Sequence, residues 1–180
     1  MILDDLTAAV AKRLVTDKQQ VPPEVMKQRA LAAPKKEGFP FERNLKKPGL
    51  SFICEVKKAS PSKGLIAPDF PYVAIAKEYE QAGAAAISVL TERDYFLGSP
   101  QYLQEIAAAV DTPVLCKDFI IDEYQIYEAR ALGASAVLLI CAVLDDDRLR
   151  NFCQLAESLG LSALVEAHDE AAVRRAIAYG

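Results

Sequence analysis

Apolar positions along the chain fall into two regimes. Over residues 1–48 they recur at helical spacing, at Leu3, Leu6, Val10 and Leu14 and again at Met26, Ala30 and Leu31, before a polar, proline-containing stretch from Ala33 to Pro48. Intervals of three and four place such side chains on one face of a helix. This region therefore reads as an N-terminal helical extension, followed by a main unit over residues 49–180. From residue 49 short apolar runs rich in β-branched residues alternate with helical segments. The runs are Ser51–Val56, Ala86–Leu90, Pro113–Cys116, Ala136–Cys141 and Ser162–Val165. Their length and composition predict strands.

The segments between them carry helix start and stop signals. One helix is predicted from Tyr72 to Gln81, ending before Gly83. A second follows Ser99-Pro100, where serine caps and proline suits the first turn. A third runs from near Asp122 to Gly133, a fourth from near Asp145 to Gly160, and a fifth from Asp169 to Gly180. Glycine past a helix end closes it in a left-handed conformation that other residues adopt at a cost. The strand runs are nearly continuous in apolar character, as expected of strands covered on both faces, so the sheet is predicted to be parallel. Five βα units of roughly 25–30 residues fit either a doubly wound sheet or part of a (β/α)8 TIM barrel. A complete barrel takes about 250 residues. The barrel reading therefore predicts an incomplete one, about five of eight units.

The chain has 180 residues, 52% hydrophobic and 26% charged, which excludes a disordered protein. Its net charge of −4 argues against nucleic-acid or anionic-membrane partners, because both require a basic surface. A small anionic substrate is not excluded, since it feels only its pocket. No run reaches the ~18 apolar residues of a membrane span. The opening Met-Ile-Leu-Asp-Asp-Leu carries acids where a secretory signal carries bases, so a cytoplasmic protein is expected. Cys54, Cys116, Cys141 and Cys153 show no CxxC spacing, and three of them lie in apolar runs, as free buried thiols do.

Charge becomes informative at the ends of the strands. In Phe52-Ile53-Cys54-Glu55-Val56-Lys57, Glu55 and Lys57 are two apart and point to the same side of a strand. Lys117 ends the third run and Glu166 the fifth. The carboxyl ends of parallel strands form the active face of α/β folds. Two lysines and two glutamates converging there can pass protons, although a charge in that position is also the ordinary first solvated residue. Glu55 is harder to explain that way, because Val56 follows it. Lys58, of opposite parity, belongs on the outer surface. The segment Ala59-Ser60-Pro61-Ser62-Lys63-Gly64 suits a mobile loop over an anionic ligand, and Tyr95 and Phe96 lie in the loop after the second strand. His168 reads as part of a helix entry. Asp145-Asp146-Asp147 reads as a helix cap rather than a metal cluster. Neither GxGxxG nor a P-loop is present.

These same stretches resemble the motifs of the indole-3-glycerol-phosphate synthases. Glu55-Val56-Lys57-Lys58-Ala59-Ser60-Pro61-Ser62-Lys63-Gly64 is similar to the family's first strand and loop. Ser88-Val89-Leu90-Thr91-Glu92 through Gly98-Ser99 is similar to its second, and Pro113-Val114-Leu115-Cys116-Lys117-Asp118-Phe119-Ile120 to its third. Ala136-Val137-Leu138-Leu139-Ile140 and Leu164-Val165-Glu166-Ala167-His168 resemble the fourth and fifth, and the opening residues and Val21-Pro22 to Ala30 resemble the family's N-terminal extension.

The resemblance implies a TIM-barrel lyase of tryptophan biosynthesis. It would convert 1-(o-carboxyphenylamino)-1-deoxyribulose 5-phosphate to indole-3-glycerol phosphate, losing carbon dioxide and water, without cofactor or metal. It implies Lys117 as general acid and Glu166 as general base. Lys57 would balance negative charge beside the substrate, and Glu55 would position the lysines. Ser60, Phe96, Phe119 and Leu138 match positions that contact the substrate. The family continues with an Asn-bearing sixth strand, a Ser-bearing seventh and glycine-rich phosphate loops that have no counterpart here. A fragment of this length is therefore expected to turn over substrate poorly alone and to self-associate through exposed strand edges. Two other readings stay open on the residues. One is another phosphate-binding barrel enzyme such as phosphoribosylanthranilate isomerase, whose Cys/Asp pair the strand-end lysines disfavour. The other is a flavodoxin-like, non-enzymatic binding domain.

Overall fold

The computed structural model describes residues 2–35 and 37–179. Three helices come first: α1 (Ile2–Gln20), α2 (Pro23–Ala32) and α3 (Pro40–Leu45). Then follow β1 (Ile53–Val56), a two-residue pair β2 (Ala59–Ser60) and β3 (Gly64–Leu65), α4 (Tyr72–Gln81), β4 (Ala86–Leu90), α5 (Pro100–Ala109), β5 (Val114–Lys117), α6 (Glu123–Ala131), β6 (Ala136–Ile140), α7 (Asp146–Ser158), β7 (Ser162–Glu166) and α8 (Glu170–Tyr179). The helix boundaries follow the punctuation in the sequence. Ser99, Asp122 and Asp145 each accept a hydrogen bond from the backbone of the first turn that they cap. Gly133, at φ +89, closes α6 in the left-handed region. Gly180, expected to close α8, lies outside the described residues.

The five longer strands form one parallel sheet in the order β1-β4-β5-β6-β7. Strand order therefore follows chain order without reversal. A doubly wound sheet reverses at a switch point, whereas a barrel adds each unit beside the last. The fold is α/β, an incomplete TIM barrel behind an N-terminal helical segment.

Alternation along each strand separates two cores. Val56, Ile87, Val89, Val114, Cys116, Val137 and Leu139 face outward and pack with Leu103, Ile106, Ile126 and Leu149 of the surrounding helices. Ala86, Leu115 and Ala136 face inward at the N-terminal end of the sheet. There Phe41 of α3 is buried against them, with Leu45 and Leu164 alongside. The extension thus supplies an apolar plug for the bottom of the inner face. Val10, Leu14 and Met26 of α1 and α2 pack against Tyr124 of α6, and Arg130 donates to the carbonyls of Ala33 and Pro34 at 2.9 and 2.8 Å.

One expectation is corrected. The first apolar run is not buried throughout: Phe52 and Ile53 are exposed, because β1 pairs with β4 alone among the described strands. The segment after Lys57, expected as a loop over an anionic ligand, carries local pairing of its own. Its ends pair as the antiparallel β2–β3 hairpin, Ala59 opposite Leu65 and Ser60 opposite Gly64, and Ser60 is buried.

Deleting the Phe41 ring removes apolar contacts that α3 makes with the inner sheet face. Phe41→Ala is expected to cost about 3–5 kcal/mol, measured as the change in unfolding free energy in a urea titration followed by circular dichroism. A loss under about 1 kcal/mol would show that the plug carries no weight.

Candidate active site

At the C-terminal end of the sheet the inner face turns from apolar to charged. Glu55 of β1 lies opposite Ser88 of β4, and Leu90 of β4 opposite Lys117 of β5. Glu55 is bonded on both oxygens. Lys57 donates to Oε1 at 2.7 Å, and Lys117 donates to Oε2 at 3.2 Å. The Ser88 hydroxyl adds a bond to Oε2 at 3.2 Å. One carboxylate thus balances two ammonium groups, of which that of Lys117 comes from 62 residues further along the chain. Burial raises the Glu55 carboxyl, but the Lys57 hydrogen bond and the charges of Lys117 and Lys57 outweigh it and leave it below its ordinary value.

Beside this cluster is a cavity of about 140 Å³. Lys117, Glu166, Phe96, Phe119 and Leu138 all line it, with Leu90, Ile140, Glu92 and Asp118. Glu55 and Lys57 join the cavity through Lys117 rather than lining it. Ser60 stays in the β2–β3 hairpin, where its hydroxyl accepts from the Lys63 amide at 3.2 Å. The Phe96 and Phe119 rings lie 6.3 Å apart, centroid to centroid. His168, read from the sequence as helix-entry structure, also reaches Glu166: its Nε2 lies 3.0 Å from Glu166 Oε1.

The walls are held by two carboxylates that sequence reasoning passed over. Glu92 is fully buried and accepts from the amides of Asp94, Tyr95 and Phe96 at 2.8–2.9 Å. This wraps the segment after β4 around one side chain and fixes Phe96. The turn closes where the Gly98 amide reaches the Glu92 carbonyl at 2.7 Å; a Cβ on Gly98 would collide with the carbonyl oxygens of Leu90 and Glu92. Asp118 accepts from Thr91 at 2.9 Å and from the Phe119 amide at 2.8 Å. Burial raises the Asp118 carboxyl, opposed by the Arg13 guanidinium and these hydrogen bonds. Both acids lie two residues beyond apolar runs, one position past the place that picked out Lys117 and Glu166. Arg13, which pairs with Asp118 at 3.0 Å, carried no such signal. Burial, with the Asp118 charge nearby, pushes the Cys116 thiol up to about 12, so it stays protonated and is a poor nucleophile.

A larger cavity of about 350 Å³ lies between the N-terminal helices and α6, lined by Asp17, Arg29, Arg93, Tyr124 and Glu128 among others. Burial pushes the Glu128 carboxyl up to about 7 there. None of the strand-end lysines or glutamates lines it. The Asp145-Asp146-Asp147 run is engaged as a cap and as partners of Arg175 and Arg150. Among the described residues no helix is long and apolar enough to cross a membrane.

A family model described as indole-3-glycerol phosphate synthase matches residues 3–180. The chain is similar to the indole-3-glycerol phosphate synthase of Endomicrobium trichonymphae, 57% identical over 180 residues, which is all of this chain and 70% of that protein. It is 54% identical over 180 residues to the protein of that name from Ruminiclostridium cellulolyticum, covering all of this chain and 69% of the relative. It is 47% identical over an alignment of 191 residues to that of Lachnoclostridium phytofermentans, covering 100% of this chain and 70% of the relative.

Because Glu55 is held below its ordinary 4.5, its stabilising contribution is complete above that value and is lost as pH falls through the folded value. Glu55→Gln is therefore expected to remove part of the stability lost on acidification below 4.5. Unfolding free energies measured from pH 6 down to about 3 check this. Parallel curves for variant and parent would contradict it.

Proposed function

The chain belongs to the indole-3-glycerol phosphate synthase family, and on that premise we propose that the cluster at the end of β1, β5 and β7 performs the family's ring closure. The substrate is 1-(o-carboxyphenylamino)-1-deoxyribulose 5-phosphate, a small phosphorylated anion. The product is indole-3-glycerol phosphate, with carbon dioxide and water released, a step of tryptophan biosynthesis in the cytoplasm. The observation that carries the assignment is the pair of proton carriers across one cavity: Lys117, tethered to Glu55, on one wall and Glu166 on another.

Each residue's role follows from its charge and place. As the aromatic ring carbon attacks the substrate carbonyl, negative charge grows on the carbonyl oxygen. Lys117, an ammonium at the strand end, donates a proton there. The ring regains aromaticity as carbon dioxide leaves, so the decarboxylation takes its driving force from the substrate. Dehydration then requires a proton to leave the substrate, and Glu166 accepts it. Lys57 offsets the substrate's negative charge and assists departure of the hydroxyl as water. Glu55 is a positioning group: with both oxygens occupied by the lysines it fixes the direction of each ammonium. Phe96, Phe119 and Leu138 present apolar surface to the anthranilate ring, and Ser60 borders the ligand from the hairpin. The general acid and base here are lysine and glutamate. An isomerisation by a Cys/Asp pair would need a reactive thiol at these strand ends, and Cys116 faces the outer core instead.

Lys117→Met and Glu166→Gln, each in the full chain, are expected to lower kcat by about 100- to 10,000-fold while product affinity changes far less. Formation of indole-3-glycerol phosphate followed by fluorescence, with product binding by equilibrium titration, provides the check. Parental kcat in either variant would remove that residue from its assigned role.

A further inference from the structure

Resting on the assignment above, we propose that Arg13, on the first helix and outside the barrel strands, is a positioning residue that holds both walls of the substrate cavity. Its guanidinium lies between two buried carboxylates. Nη2 donates to Asp118 Oδ1 at 3.2 Å and Oδ2 at 3.0 Å. Nη1, buried and without a hydrogen bond, faces Glu92 Oε1 at 3.5 Å. The side chains involved are nearly or wholly inaccessible: 12% for Arg13, 9% for Asp118 and 0% for Glu92. Asp17, one turn along the helix at 3.8 Å, steadies the guanidinium and is in turn held by Arg93 at 3.0 Å.

The two carboxylates serve the cavity directly. Glu92 binds the amides of residues 94, 95 and 96 and so places the Phe96 ring. Asp118 binds the Phe119 amide, places that ring and follows the general acid, Lys117, in the chain. One planar fork therefore sets the spacing of the two aromatic walls, a task for which arginine's rigid geometry suits it better than lysine. Without the fork, two buried negative charges would face each other across the gap that Arg13 occupies, beside a cavity for an anionic substrate. Such charges repel strongly at low dielectric. The walls would part, or Asp118 would take up a proton.

The groups around Asp118 are Arg13 and Asp17 from α1, Thr91, Glu92 and Arg93 after β4, Cys116 and Lys117 on β5, and Glu128 on α6. Of the cations among them, Arg13 alone forms an ion pair with Asp118. In Arg13→Met the Asp118 carboxyl loses its counter-charge and binds a proton at higher pH than in the parent. As pH rises through that value an unpaired anion develops in the wall, so the variant's KM rises with pH.

The test is steady-state kinetics of the full chain from pH 6 to 8.5, with the affinity for indole-3-glycerol phosphate titrated in the same samples. Arg13→Met is expected to lose roughly 10- to 100-fold in kcat/KM at the upper pH, mainly through KM. Asp118→Asn added to Arg13→Met is expected to abolish the new pH dependence and recover part of the affinity. Lys18→Met breaks another tether of the same helix, the 2.8 Å pair with Asp122, and is expected to keep parental KM. A folded Arg13→Met protein with parental KM at all pH values overturns the proposal. So does a loss that merely tracks the folded fraction, or an equal KM rise in Lys18→Met. Should Arg13→Met not fold, Arg13→Lys decides the matter. It keeps the charge without the fork, and a raised KM supports the positioning role while parental KM refutes it. A parent that binds no indole-3-glycerol phosphate would instead defeat the function assigned above.

Discussion

Along a parallel strand, side chains point alternately to the two faces of the sheet, and the site rests on that constraint. It places residues 55 and 57, 88 and 90, 115 and 117, 138 and 140, and 164 and 166 on one inner surface. Because β1, β4, β5, β6 and β7 are added in chain order, those pairs line up as neighbours around a common mouth. A shift of one residue in β1, β5 or β7 would send Glu55, Lys117 or Glu166 toward the outer core of Ile87, Val114 and Leu139, where an unpaired ion is costly to bury.

The inner surface is graded. Its lower layers, Ala86, Leu115 and Ala136 under Phe41, are apolar and closed. Its upper layer is Glu55, Lys117 and Glu166, each about a third exposed. These charged groups thus keep contact with solvent, while a packed floor fixes the strands from which they project. The Glu55 bridge then limits the freedom of the lysines. A lone lysine on a flexible four-carbon stem would sample many directions, whereas one bonded to a carboxylate on the neighbouring part of the sheet is held at the cavity wall.

The N-terminal helices enter the same economy from outside. Phe41 closes the floor, Tyr124 anchors α1 and α2 through Val10, Leu14 and Met26, and Arg13 reaches the roof between Glu92 and Asp118. A segment that adds no strand therefore touches both ends of the inner surface. Buried acids such as Glu92 and Asp118 are tolerated because each is saturated with hydrogen bonds and faces a counter-charge.

Much of this was legible in the residues. Apolar runs bounded by Ser99, Asp122, Asp145 and glycines defined strands and helices, because capping and left-handed closure depend on local residue type. The parity of Glu55 and Lys57 and the placement of Lys117 and Glu166 at strand ends also followed from local spacing. Strand order was not available locally: a doubly wound sheet and a barrel use the same units, and only the tertiary packing chose the sequential order. The β2–β3 pairing around Ser60 was missed because two-residue strands leave no periodic signal. The exposure of Phe52 and Ile53 depends on what lies beside β1, which no composition states. Arg13 was invisible for the same reason. It sits 105 residues from Asp118, in a helix whose pattern reports only its apolar face. Sequence fixes what each residue can bond; which residues meet depends on long-range packing, and the clamp at the cavity wall exists only there.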